Sequence, residues 1–188
     1  MTTYPSLIRA SGFTLLELMI STALVLTISM IAAPSLNKSL NKKRLKADTI
    51  RFGESLMLAR NYATAKMSEV VVCPLDKNGQ CRSKIKANQN WNQGWQIYED
   101  SNQNRRLDSR ERVLLNETFS DNIAVVFNQN GILRFFPDGS SRSAGFYVCA
   151  KDQKAGSYLR LLHSGRLRLT SDLSLRQMGI CQANLRKT

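Results

Sequence analysis

The sequence is short of the residues that most site chemistry needs. It holds one histidine, His163, and its four cysteines (Cys73, Cys81, Cys149 and Cys181) include no C-x-x-C pair. A structural zinc site needs more such ligands at tighter spacing, so no metal site is expected. The lone histidine has no recognisable Ser or Cys partner, and no catalytic set emerges. No G-x-x-x-x-G-K-[ST] stretch occurs, so the phosphate-cradling loop of an ATPase motor is missing. Neither a cofactor nor enzymatic activity is expected. Acids are scarce as well: 14 Asp+Glu stand against 27 Lys+Arg, for a net charge of +13. That balance favours an anionic partner, either nucleic acid or an acidic lipid surface. Proline is rare, with four in 188 residues and none from Ser35 to Met67, which leaves room there for a long helix.

What is present starts with an apolar run. Residues 13–34 read FTLLELMISTALVLTISMIAAP. As a helix this run spans ~33 Å, about the hydrocarbon thickness of a bilayer. A short leader, residues 1–12, carries Arg9 and is expected to stay cytoplasmic while the chain beyond is exported. An ordinary signal peptide has its small-residue cleavage site after the apolar run; here a Gly12–Phe13 junction precedes it. Glu17 stands inside the run, where a carboxylate needs a partner. Pro34 ends the most apolar part and is expected to kink or open the helix.

Residues 35–68 read as an amphipathic continuation. Leu45, Phe52, Leu56, Ala59, Ala63 and Met67 recur at helical steps and mark one buried stripe. Lys42, Lys43, Arg44, Lys46 and Arg51 form a basic run that reads as a solvated face. From residue 69 to 188 the character changes to short β-type runs, such as VVVCP, GWQIYED, IAVVFNQ, GFYVCA and YLRLLHSGRLRL. Turn signals such as KNG, NQNG and PDGSS separate them. The expected fold class is α+β: a long N-terminal helix, transmembrane in its first half, packed on a C-terminal antiparallel β-sheet domain. The basic, polar stretch 77–93 is expected to be a mobile loop.

Three local patterns matter further on. In DSNQNRRLDSRE, Asp100, Asn102, Asn104, Asp108 and Glu111 fall at calcium-loop positions, but Arg105 stands where that loop needs Gly. A structural turn made by Asp and Asn hydrogen bonds is the reading preferred. The cysteines pair most simply as neighbours, Cys73–Cys81 and Cys149–Cys181, with the other two pairings open. An even count in an exported chain points to an oxidising compartment. Residues 139–188 carry nine Lys/Arg against two acids, Asp152 and Asp172. Within them HSGRLRL places Gly165, Arg166 and Arg168 together. Strand alternation would point both arginines the same way, or Gly165 would let the backbone approach a ligand. Arg160, His163 and Arg176 could widen the patch, and guanidinium suits bidentate phosphate contact.

GFTLLEL closely resembles the N-terminus of type IV pilin-like proteins. GWQIYEDSNQNRRLDSRERVLL, NQNGILRFFPDGSS, the Cys-bearing strand and LHSGRLRL extend the resemblance to minor pilins of the GspH/FimT type. The resemblance implies prepilin-peptidase cleavage after Gly12 and N-methylation of Phe13. It also implies that Glu17 pairs with the new amine while the helix packs among other major and minor pilins. The precursor would sit in the inner membrane by a single span, with a periplasmic domain that reaches the pilus after assembly. Gly165, Arg166 and Arg168 resemble the DNA-binding motif of FimT-type subunits, which implies DNA as a partner in natural transformation. The alternatives are a structural subunit of the FimU type that primes assembly, or a GspH-like pseudopilin of type II secretion.

Overall fold

The computed structural model describes residues 14–188 apart from 83–85, 87–88, 152–154, 172 and 186–188; the side chains of 30–35, 38, 89 and 185 are likewise outside it. The chain divides into two compact units, Met1–Ser39 and Leu40–Thr188. Helix α1, Leu15–Lys66, begins in the first and ends in the second. The helix runs unbroken through Pro34 and does not open there.

In the first unit the described side chains from Leu15 to Ile28 are exposed on every face, Leu15 by 78% and Ile28 by 65%. The hydroxyls of this stretch are returned to the helix's own carbonyls: Ser21 Oγ donates to Glu17 O at 2.7 Å and Ser29 Oγ to Val25 O at 2.7 Å. Glu17 is exposed, and its backbone N–H donates to Thr14 Oγ1 at 3.2 Å. Gly12 and Phe13 lie outside the described residues. Among the described residues no helix is long and apolar enough to cross a membrane.

The second unit is an α+β sandwich. Among the described residues nine strands follow the helix: β1 Glu69–Pro74, β2 Gln89–Asn90, β3 Trp95–Asp100, β4 Val113–Glu117, β5 Ile123–Phe127, β6 Leu133–Phe135, β7 Ala144–Ala150, β8 Gly156–Leu161 and β9 Leu167–Thr170. A second helix, α2 Leu175–Leu185, closes the chain. All strand pairs are antiparallel, but they form two sheets rather than the single one expected, in the orders β4-β3-β1-β6 and β2-β5-β7-β8-β9.

The expected helix stripe is buried at Leu45, Phe52, Leu56, Ala59 and Ala63, and it packs against the inner faces of both sheets. Phe52 is its centre, in edge contact with Trp95 at 5.0 Å, Phe119 at 5.4 Å and Phe146 at 4.8 Å. Burying such a ring contributes about 1.5–3 kcal/mol, and truncating it to Ala costs about 3–5 kcal/mol. Met67 departs from the stripe: it is 73% exposed. The helix ends at Lys66 because Met67 turns left-handed, with φ 52°, and Ser68 N–H donates back to Ala63 O at 3.2 Å. That is the hydrogen bond of a Schellman cap, made here without the usual glycine.

Arg51 also departs from the expected solvated face. It pairs with buried Asp48 at 3.0 Å and with Glu117 at 3.2 Å, and lies over the Trp95 ring at 5.5 Å. It therefore ties the helix to β4, while Lys42, Lys43, Arg44 and Lys46 are exposed as expected. The segment 77–93 is not a plain loop. Leu75 and Cys81 bridge, β2 pairs with β5, and Trp91 is fully buried against Phe127 and Phe146.

Both neighbour disulfides are present, Cys73–Cys81 and Cys149–Cys181. The second closes a separation of 32 residues, for which chain entropy predicts a stabilisation of about 3–4 kcal/mol. It fastens α2 to the outer face of the five-stranded sheet, where Ala124, Val126, Tyr147 and Cys149 pack with Cys181, Met178 and Ile180. The C-terminal segment that this bridge holds is a docked helix. Its start is a capping box: Ser174 N–H donates to Gln177 Oε1 at 2.9 Å and Gln177 N–H to Ser174 Oγ at 3.4 Å.

The 100–111 segment is the structural turn expected. Asp100 is fully buried and accepts from Asn104 N–H at 3.1 Å and Arg105 N–H at 2.9 Å. Asp108 accepts from the side-chain amides of Asn102 at 2.8 Å and Asn104 at 2.7 Å. Both carboxylates are engaged within the loop, Asp100 by backbone N–H groups and Asp108 by side-chain amides.

Candidate nucleic-acid interface

The basic motif forms the β8–β9 hairpin, and its register decides which cations meet. Strand pairing sets Leu161 opposite Leu167, Arg160 opposite Arg168, Leu159 opposite Leu169 and Tyr158 opposite Thr170. Alternation then separates two faces. Leu159, Leu161 and Leu167 face inward against the helix and the core. Arg160 and Arg168 share the outer face as direct cross-strand partners. The sequence suggested that Arg166 and Arg168 act together; the stronger pair, Arg160 with Arg168, comes from strand register.

The hairpin loop is His163, Ser164 and Gly165. Leu162 N–H donates to Arg166 O at 2.9 Å, and Gly165 N–H to Leu162 O at 2.9 Å. A three-residue loop of this kind ends in a left-handed residue, and Gly165 has φ +74°. Gly165 is buried, and a Cβ there would run into Gly139 O and come within 2.6 Å of Arg60 Nε. The expectation that Gly165 lets the backbone approach a ligand is therefore corrected. Its close approach is to the protein's own β6–β7 connection and to helix α1.

Arg60, which the sequence reading did not single out, completes this anchor: its Nε donates to Gly139 O at 3.0 Å. Ser141 N–H donates to His163 O at 2.9 Å, docking the loop from the other side. Gly53 lets Leu167 Cδ2 approach within 3.2 Å of where a Cβ would stand. The arginines thus stand on a hairpin held at both its tip and its inner face.

Arg160, Arg166 and Arg168 are exposed, as is Arg176 in the first turn of α2. Among the described residues none of the four side chains has an ion pair or hydrogen bond. Asp152 and Asp172, the acids of this segment, lie outside the described residues. Like charges directly opposite on a sheet repel by about 0.2–1 kcal/mol, so the Arg160–Arg168 pair is a local excess of positive charge that an anion would relieve.

Beside it Tyr147 and Tyr158 stack at 4.9 Å, with planes 24° apart. Burial and the neighbouring Tyr158 raise the Tyr147 hydroxyl above its usual range, and Arg176 pulls it back down. Arg176 therefore lies within electrostatic reach of this stack. His163 is exposed at the loop, where it helps hold the Asp138 carboxyl below its usual range; hydrogen bonds from Ser140 are the larger cause. The structure groups Arg160, Arg168 and Arg176 around the tyrosine pair, sets Arg166 at the exit of the loop, and places His163 toward Asp138.

A long N-terminal helix laid on antiparallel sheets, with a disulfide-pinned C-terminus, defines this chain as a protein of the pilin class. It belongs to the family of the Type II transport protein GspH, whose family model matches residues 49–178. That family is one of minor pilins and pseudopilins.

The fold is similar to that of the minor pseudopilin EpsH from the type II secretion system of Vibrio cholerae, with a TM-score of 0.51 and 12% identity over 70% of this chain and 99% of that one. The type IV minor pilin FimU of Pseudomonas aeruginosa is also similar, with a TM-score of 0.46 and 15% identity over 67% of this chain and 92% of that one. No curated protein matches the sequence.

Proposed function

We propose that this chain is a minor type IV pilin of the FimT type that holds extracellular DNA by its phosphate backbone during natural transformation. The observation that carries the reading is the cross-strand pair Arg160–Arg168, exposed and without an acid among the described residues, with Arg166 and Arg176 beside it. Guanidinium groups on phosphate position a duplex without reading its bases, so binding is independent of sequence. Pulling is left to retraction of the filament by a separate motor.

The N-terminal unit fits the same role. From Thr14 to Ser29, Glu17 is the only charged residue, the large apolar side chains are bare, and the hydroxyls of Ser21, Thr22, Thr27 and Ser29 bond within the helix. A helix apolar on every side belongs in lipid or in a protein core. In this proposal prepilin peptidase cuts after Gly12, Phe13 is N-methylated, and Glu17 pairs with the new amine. The helix moves from the inner membrane into the filament, among major and minor pilins, and the folded unit is carried to the cell surface.

The test is a chromosomal Arg166→Ala/Arg168→Ala variant. DNA uptake should fall while surface pili and twitching are retained. Loss of pili on deleting the gene would instead make it a structural subunit that primes assembly. Loss of secreted proteins would make it a type II pseudopilin, the second reading that the family description favours.

A further inference from the structure

A second cationic feature is built from other segments than the hairpin and α2. Arg105, Arg134 and Arg142 line a cavity of about 220 Å³, floored by Gly131, Ile132 and Phe136. A volume below the ~300–1,000 Å³ of ordinary small-molecule sites admits one compact group.

Each arginine is placed by a different device. Arg105 sits at φ 64° on the 100–111 loop, held there by its N–H on Asp100 Oδ2 at 2.9 Å. Arg134 projects from β6, lies over the Phe136 ring at 5.1 Å and pairs with buried Glu69 at 3.0 Å. Arg142 precedes β7 and lies over Phe127 at 5.3 Å. Its Nη2 donates to the carbonyls of Asn130 and Ile132, the latter at 2.8 Å. Its Nε is closed off, with no acceptor among the described residues, so it is not the group a ligand in the cavity would meet. Its Nη1 makes no hydrogen bond among the described residues and is the donor left for one.

The charges count toward a particular ligand. Glu69 offsets Arg134. Arg105 and Arg142 have no carboxylate partner among the described residues. Burial, and then the neighbouring Arg134, push the Arg142 pKa down, as expected where positive charge is crowded and uncompensated.

We propose that this cavity binds the dianionic form of a phosphate group, as inorganic phosphate or as a phosphate monoester. A single carboxylate would leave one of the two unpaired charges unmet. The planar fork of arginine matches phosphate oxygens bidentately. None of the hairpin arginines takes part, so this site and the DNA reading stand or fall separately.

The experiment is calorimetric titration of inorganic phosphate into the full chain in detergent micelles at low ionic strength and pH 8. One site should appear that chloride at matched ionic strength does not reproduce. It should weaken at least tenfold in Arg142→Gln and in Arg105→Ala, and stay unchanged in Arg166→Ala/Arg168→Ala. Arg142 also braces two carbonyls, so its variant could fail to fold; the Arg105 side chain has no such bond among the described residues, and its variant keeps the test decisive. Displacement of phosphate by glycerol phosphate assigns a monoester, and its failure to displace assigns the free ion. No phosphate-specific heat, equal affinity for dimethyl phosphate, or undiminished binding in Arg105→Ala would overturn the proposal.

Discussion

Salt dependence offers the sharpest test of the hairpin. Neutralising Z phosphates releases condensed counterions, so the logarithm of affinity falls with the logarithm of salt at a slope of about −0.9Z. The structure exposes four arginines without an ion pair among the described residues, Arg160, Arg168 and Arg176 around the tyrosine stack and Arg166 at the exit of the hairpin loop. If each meets one phosphate, the slope is about −3.6, and affinity drops roughly 150-fold between ~50 and ~200 mM salt. Arg166→Ala/Arg168→Ala should halve the slope to about −1.8, with a loss of only about 12-fold over the same range. The assay is fluorescence anisotropy of the full chain in detergent with two labelled duplexes of unrelated sequence, which should give the same slope. A double variant with the wild-type slope would refute the assignment of these arginines. A wild-type slope near zero would refute phosphate contact altogether.

Three further outcomes follow from the geometry. Gly165→Ala meets both a left-handed φ and the Gly139 carbonyl, so thermal or denaturant unfolding should show a loss of about 2–4 kcal/mol. Arg168→Thr removes a like-charge cross-strand pair, so the free protein should gain about 0.2–1 kcal/mol in unfolding experiments while DNA binding weakens; equal losses in both would contradict the pairing. The Asp108 carboxyl is held below its ordinary 3.8 by hydrogen bonds from Asn102 and Asn104, so it contributes stability above that pH and loses it as pH falls through its lower folded value. Asp108→Asn should therefore flatten the acid limb of the stability curve below about pH 4, read by circular dichroism against pH.

The local text of the sequence carried most of the architecture. Each strand longer than two residues falls on an expected β run, because alternation and turn residues are properties of a few neighbouring positions. What pairs with what was not legible. β1 takes β3 on one side and β6 on the other, and no hydrophobic pattern says that the nine strands sort into two sheets. Met67 fits the helical spacing, but the chain reverses there through backbone geometry that spacing does not encode. Arg51 looked like one cation in a basic run, and only tertiary structure supplies Asp48, Glu117 and Trp95 around it. Helix α2 could have been found: Ser174 and Gln177 spell a capping box. For the site, the arginines were legible by type and number. The pairing of Arg160 with Arg168 and the anchoring role of Arg60 needed register and packing.

The burial of Gly165 separates two constraints within one short motif. The glycine answers to Arg60 and Gly139, inside the fold; the arginines answer only to what lies outside it. Under the proposed DNA-holding role, a relative without that role would be free to lose Arg166 and Arg168, yet would still need a glycine where Gly165 stands. The glycine alone is therefore a marker of this hairpin's architecture, and under the same proposal ligand preference is left to the cations beside it.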